Sequence, residues 1–201
     1  MCFNTRQSKK QEQLEKRFKA KMAKRLQYNV EVVFNGFQHP KTPVIANTET
    51  DTIRLFNWGL IPHWAKDDSI RKHTLNARIE TINQKPSFRD AIKNRCLVLV
   101  DGFYEWQWLD PKGKNKQKYL ITRPDDEAFA IASLWNEWTN KTTGEILYTY
   151  TILTKEANDL MSKIHNTQKR MPVILPLNNE MDWLNGKELS TEEIELIATE
   201  V

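Results

Sequence analysis

Residues 96–100 read Cys96-Leu97-Val98-Leu99-Val100, apolar at every position, and Asp101-Gly102 stops the run at once. So short an apolar stretch, bounded by a turn pair, reads as a buried strand, and a buried strand needs a sheet around it. The run occupies 95–101, and further strands are expected near 43–47, 52–58, 103–109, 118–123, 128–135 and 146–154. Gly113 and Thr142-Thr143-Gly144 mark hairpin loops between some of them. Tyr28, Val30, Val32 and Phe34 alternate with polar neighbours except Val33, which predicts another strand closed by Asn35-Gly36.

Helical patterns are fewer. Ser8 followed by Gln11 has capping-box spacing, and Leu14, Phe18, Met22 and Leu26 recur every four residues, so 9–26 is predicted as an amphipathic helix with a basic outer face. Ser87 with Asp90 opens a short helix at 88–94. Ala157, Leu160, Met161 and Ile164 trace one at 155–165, and a last helix begins at Ser190 with Glu193 as its capping partner. The pattern is α+β, with no repeat, no low-complexity linker and no internal domain boundary.

At 201 residues the chain buries a proper core without disulfides or structural metal. Its two cysteines, Cys2 and Cys96, imply no disulfide framework, because Cys96 lies within the apolar run. The amino terminus has no apolar signal core, and no apolar stretch approaches the eighteen or so residues of a membrane helix, so the chain reads as cytoplasmic. The net charge of +4 hides an asymmetry: residues 1–27 hold nine Lys or Arg against Glu12 and Glu15, whereas 177–201 hold seven acids against Lys187. The basic stretch is either a solvated helix face or a patch that attracts phosphate.

Cys2 follows the initiator methionine directly. Removal of Met1 leaves a 1,2-aminothiol, whose amine condenses with an aldehyde and whose thiolate then closes a five-membered thiazolidine. A small second residue is equally compatible with ordinary processing, so supporting residues must come from elsewhere. Four segments supply polar or aromatic side chains that packing alone does not require. Trp58-Gly59-Leu60-Ile61-Pro62-His63-Trp64 sets two large aromatics around a Gly and a Pro, able to stack nucleobases or to plug a core. Asn76, Arg78 and Glu80 share one face if 75–81 is extended. Glu105 stands between aromatics in Asp101-Gly102-Phe103-Tyr104-Glu105-Trp106, where burial would raise its pKa; a surface hairpin Glu is the plainer reading. His165 ends a helix, where it either works or simply complements the helix dipole, in a stretch running on through Lys169 and Arg170 to Met171-Pro172.

With Met1-Cys2 and Ile164-His165 leading to Arg170-Met171-Pro172-Val173-Ile174-Leu175, these segments in this order resemble the SOS response-associated peptidase (SRAP) domain family over essentially the whole chain. The resemblance implies a single domain over 1–201, with a strand-rich mixed/antiparallel, barrel-like β core and flanking short helices. It implies a DNA-damage (SOS) response protein that cross-links covalently to abasic sites in single-stranded DNA, with hydrolase (self-processing cysteine protease) and lyase activities attached. Catalysis would fall to Cys2 as nucleophile, Asn76 to position the amine or the sugar, and Glu105 and His165 to handle protons. Arg78, with Lys169 and Arg170, would contact phosphate, and Trp58 and Trp64 would shape the site where the strand bends. No metal or cofactor is called for, the partner is abasic single-stranded DNA, and a cytoplasmic monomer, nucleoid-associated when bound, is expected. Two departures stand out. The family usually opens Cys-Gly-Arg where this chain has Cys2-Phe3-Asn4, and Arg170 lies five residues after His165 rather than almost at once.

On chemistry alone, His165 near its ordinary pKa of about 6.5 would protonate the ring oxygen of the closed sugar, and Glu105 would take up the amine's proton. Two other functions use the same residues. One is a thiol hydrolase with Cys2 as an N-terminal nucleophile; the other is a single-strand binding module that relies on the basic helix and the tryptophans.

Overall fold

The computed structural model describes residues 2–23, 28, 30, 32–190 and 192–201. In chain order its strands are β1 (Asn4–Arg6), β2 (Lys21–Met22), β3 (Val33–Asn35), β4 (Lys41–Ala46), β5 (Thr52–Trp58), β6 (Asn76–Arg78) and β7 (Arg95–Val100). There follow β8 (Gly102–Trp108), β9 (Lys116–Thr122), β10 (Phe129–Thr139), β11 (Ile146–Glu156), β12 (Arg170–Pro172), β13 (Ile174–Leu175) and β14 (Ile197–Glu200). The α-helices are α1 (Gln11–Phe18), α2 (Asp159–Ile164) and α3 (Glu180–Leu184).

The apolar run becomes β7, flanked by β10 and β4. The order β11-β10-β7-β4-β5 is antiparallel throughout, and β5 then returns to β11 in parallel through Asn57 opposite Thr149 and Trp58 opposite Tyr150. That last pairing closes a mixed five-stranded barrel and removes its open edges. Alternation sorts the side chains: Cys96, Val98 and Val100 join Val44, Phe56, Ile131 and Tyr150 in the barrel interior. Leu97 and Leu99 point to an outer core beneath α1 and α3, with Leu14, Trp183 and Leu184. A second sheet, β14-β9-β8-β1-β3, contributes Phe103 and Ile121 to the interior cluster. The fold is thus α+β with a barrel-like β core and short helices.

Several predicted elements come out differently. The helix expected over 9–26 is only α1; its cap is Lys10, bonded reciprocally with Gln13, while Ser8 hydrogen-bonds the Asp101 carboxylate instead. Lys19 takes a left-handed conformation, φ 52°, and Met22 leaves the helix for β2, where its N–H donates to the Glu15 carboxylate at 3.0 Å. Leu26 lies outside the described residues, as do 29 and 31; of the strand expected over 28–34 only Val33 and Phe34 are extended, in β3, while Tyr28, Val30 and Val32 lie outside any strand. The helix at 88–94 is a single 3₁₀ turn, Arg89–Ala91, and α2 is shorter than 155–165 because β11 runs on to Glu156. From Ser190 on, the described residues form no helix; β14 pairs with β9, and Glu193 binds Lys155. Part of the basic stretch is spent inside the fold: the Arg17 guanidinium grips the Glu180 carboxylate at 2.7 and 3.1 Å, and Arg6 and Lys9 pair with Asp101 and Asp126.

Ile131→Ala, inside the barrel, should cost about 2–5 kcal/mol of unfolding free energy in urea titrations, whereas exposed Leu177→Ala should fall within about 0.5 kcal/mol of the parent.

Candidate active site

Cys2 is placed by the strand it precedes. β1 pairs on one side with β3 and on the other with β8, in the register Asn4 opposite Tyr104. The Cys2 side chain is 0% exposed and packs in the barrel-interior cluster with Trp58 and Tyr150. Burial, with the nearby Glu105 carboxylate, pushes the thiol pKa well up. Asn76, at the start of β6, donates its amide N–H to the Cys2 carbonyl at 2.9 Å. Its amide oxygen is buried with no hydrogen-bond partner among the described residues, an acceptor held ready beside the cysteine.

Glu105 sits on β8, which carries the partner residues of β1. It is almost fully buried, and desolvation raises its pKa to about 7. The buried reading of this carboxylate therefore holds over the surface one. His165 follows α2, whose end is tied to the same strand: Gln107 donates to the Lys163 carbonyl at 3.0 Å, and Asn166 donates to and accepts from the Trp108 backbone at 2.8 and 3.1 Å. The Arg170 N–H donates to His165 Nδ1 at 3.0 Å, which leaves the ring hydrogen on Nε2. Burial pushes the His165 pKa down to about 4, so the expectation of an imidazole near its ordinary pKa is corrected: the ring is neutral at neutral pH.

Two of the residues expected on the DNA side are buried. Trp58 is 0% exposed, donates its indole N–H to the Leu75 carbonyl at 2.8 Å and stacks on Tyr150 at 6.1 Å, so no base reaches it. Arg170 is buried, its guanidinium bound to both Glu80 oxygens at 2.7 and 2.9 Å and to the Thr154 carbonyl at 2.7 Å, so it braces the chain after His165 rather than meeting phosphate. Arg78 and Lys169 are exposed, and Trp64 is 48% exposed. The extended face expected over 75–81 lasts only through Arg78, since Ile79–Thr81 forms a 3₁₀ turn. Sequence reasoning missed the tethers Gln107 and Asn166; the place of Asn166 next to His165 was the one signal available.

The chain matches the SOS response associated peptidase (SRAP) family over residues 1–201. It belongs to that family. It is 44% identical over 145 residues to the abasic site processing protein YoqW of Bacillus subtilis (strain 168), a match covering 72% of this chain and 62% of that protein. To the abasic site processing protein HMCES of Gallus gallus it is 35% identical over 160 residues, covering 68% and 46%. The chain thus spans less than two thirds of the length of these SRAP relatives. A crystal structure of a protein from Bacteroides thetaiotaomicron superposes with a TM-score of 0.87 at 34% identity, covering 100% of this chain and 92% of that one.

The Glu105 carboxyl, with an ordinary pKa of 4.5 in the unfolded chain and about 7 here, favours the folded state while it is protonated. That stability is fully present below pH 4.5 and is lost as pH rises through 7. Thermal or urea unfolding of Glu105→Gln should therefore gain on the parent between these two pH values, by up to about 3 kcal/mol, and the difference should level off above them.

Proposed function

We propose that this SRAP protein captures abasic sites in single-stranded DNA as a covalent thiazolidine on Cys2. The observation that carries the reading is the Cys2 environment: a thiol at the amino end of β1, its carbonyl held by Asn76, under the charge of a carboxyl that titrates near neutrality. The relatives named abasic site processing proteins point the same way.

Hydrolytic removal of Met1, the ordinary trimming before a small second residue, consumes one water and frees the α-amine. The closed sugar opens when its ring oxygen gains a proton and its anomeric hydroxyl loses one, which exposes the aldehyde. Glu105, poised at about 7, both gives and takes protons at neutral pH, so ring opening is assigned to it. Neutral His165 offers an Nε2–H as hydrogen-bond donor rather than a proton, so the ring-opening role first expected of it passes to Glu105. The amine adds to the aldehyde carbon and expels water as an imine. The thiol then adds across the C=N bond, sulfur to carbon and proton to nitrogen, and closes the ring; the net loss is one water. Without the thiol, the imine would stand as a route to β-elimination, the lyase outcome. The protein acts in the cytoplasm, as a monomer on nucleoid DNA.

On a denaturing gel, protein mixed with a single-stranded oligonucleotide bearing one abasic site should shift without reductant. Cys2→Ser should shift only after borohydride and should cleave the strand, and intact mass should show Met1 removed. A stable Cys2→Ser adduct in parental yield would move the chemistry to another nucleophile.

Arg78→Ala and Lys169→Ala should each flatten the log–log salt dependence of single-strand affinity by about 0.7. Arg170→Ala should instead lower the melting temperature, because it strands Glu80 and the buried Thr154 carbonyl.

A further inference from the structure

Phe37 is 55% exposed, yet nothing about its setting is loose. It rides on a 3₁₀ turn, Gly36–Gln38, tied down at both ends: Asn35 Oδ1 accepts from the Phe37 N–H at 3.0 Å, the Gly36 N–H donates to the Phe3 carbonyl at 2.8 Å, and the His39 N–H donates to the Gly36 carbonyl at 3.0 Å. Gly36 lets the turn lie on the Trp58 ring, since a Cβ there would meet that ring at 3.2 Å. The exposed ring is thus held outward by a turn anchored on the core. It meets Phe3 at 4.9 Å between centroids.

The two rings form one wall of a cavity of about 300 Å³, completed by Lys72, His73, Leu75 and Asn76. Lys72 and His73 are exposed, and among the described residues no carboxylate lines the space. Asn76 is the residue that holds the Cys2 carbonyl, so the cavity opens beside the proposed reacting group. An aromatic wall facing a basic rim is the combination that binds single-stranded nucleic acid: each base offers a π-face and each linkage a negative charge.

We propose that this cavity takes the nucleotide adjoining the abasic one. Its base stacks on Phe37, backed by Phe3; its phosphate is neutralised by Lys72, with His73 as a hydrogen-bond donor. The proposal rests on the reading of abasic single-stranded DNA as substrate, and it adds the place where an intact neighbouring base is held.

The probe is a single-stranded oligonucleotide with a tetrahydrofuran abasic analogue, which cannot cross-link, and 2-aminopurine on one side of it or the other. The wild-type protein should quench 2-aminopurine on one side. Phe37→Ala should abolish that quenching and weaken binding about tenfold, within the range of roughly 5- to 150-fold set by losing one base stack. Phe37→Tyr should keep both, and Lys72→Ala should keep the quenching at saturation while flattening the salt slope by about 0.7. Reaction of Cys2 with a small free aldehyde should be the same in all of them. A Phe37→Ala protein that binds and quenches like the wild type, while the wild type still cross-links an abasic strand, overturns the subsite alone. A wild-type protein that cross-links no abasic strand overturns the functional reading beneath it.

Discussion

The buried Asp101 carboxylate holds the amino end of this chain in place. It is 0% exposed and accepts from Arg6 Nε and the Ser8 N–H, each at 3.2 Å, and from the Ser8 hydroxyl, with Lys9 at 3.6 Å. A carboxylate so deep is tolerable only while those donors surround it, so the segment from Arg6 to Lys9 has one acceptable position. That position fixes the register of β1 against β8, and register decides on which side of the sheet each side chain falls. A slip of one residue would turn the Cys2 thiol away from the barrel interior. The candidate site therefore depends on an ion-paired anchor four to seven residues downstream that shares no chemistry with it.

A second dependence runs through Arg170. Its guanidinium joins β12 to Glu80 and to β11, and its N–H fixes the tautomer of His165. A residue whose charge looks made for phosphate is instead the splint of the segment that carries the histidine. The burial that lets the barrel close also moves the pKa of Glu105 up and that of His165 down, so packing and proton chemistry have one cause here.

The strands were legible because they obey local rules. β5 coincides with 52–58, and the hairpin loops carry Gly113 and Gly144 at positive φ, where turn chemistry asks for glycine. The helix over 9–26 misled because a four-residue apolar repeat says nothing about the tertiary bond from Met22 to Glu15 that pulls the chain out of the helix. The polar residues of the candidate site stood out one by one as side chains that packing did not require. Which of them face solvent did not, because exposure is settled by neighbours distant in sequence: Trp58 and Arg170 are covered by Leu75, Tyr150, Thr154 and Glu80. The pKa directions were hidden for the same reason.

The pairing of β1 with β8 also has a bearing on timing during synthesis. Asn4 cannot meet Tyr104 until roughly a hundred further residues have left the ribosome, about 5–20 s at ordinary elongation rates. Throughout that interval the nascent amino terminus is open to the surrounding solution. Once β8 arrives, Cys2 is sealed in the barrel cluster. The bond before Cys2 is thus open to cleavage during translation, before β8 arrives to take up the strand that Cys2 precedes.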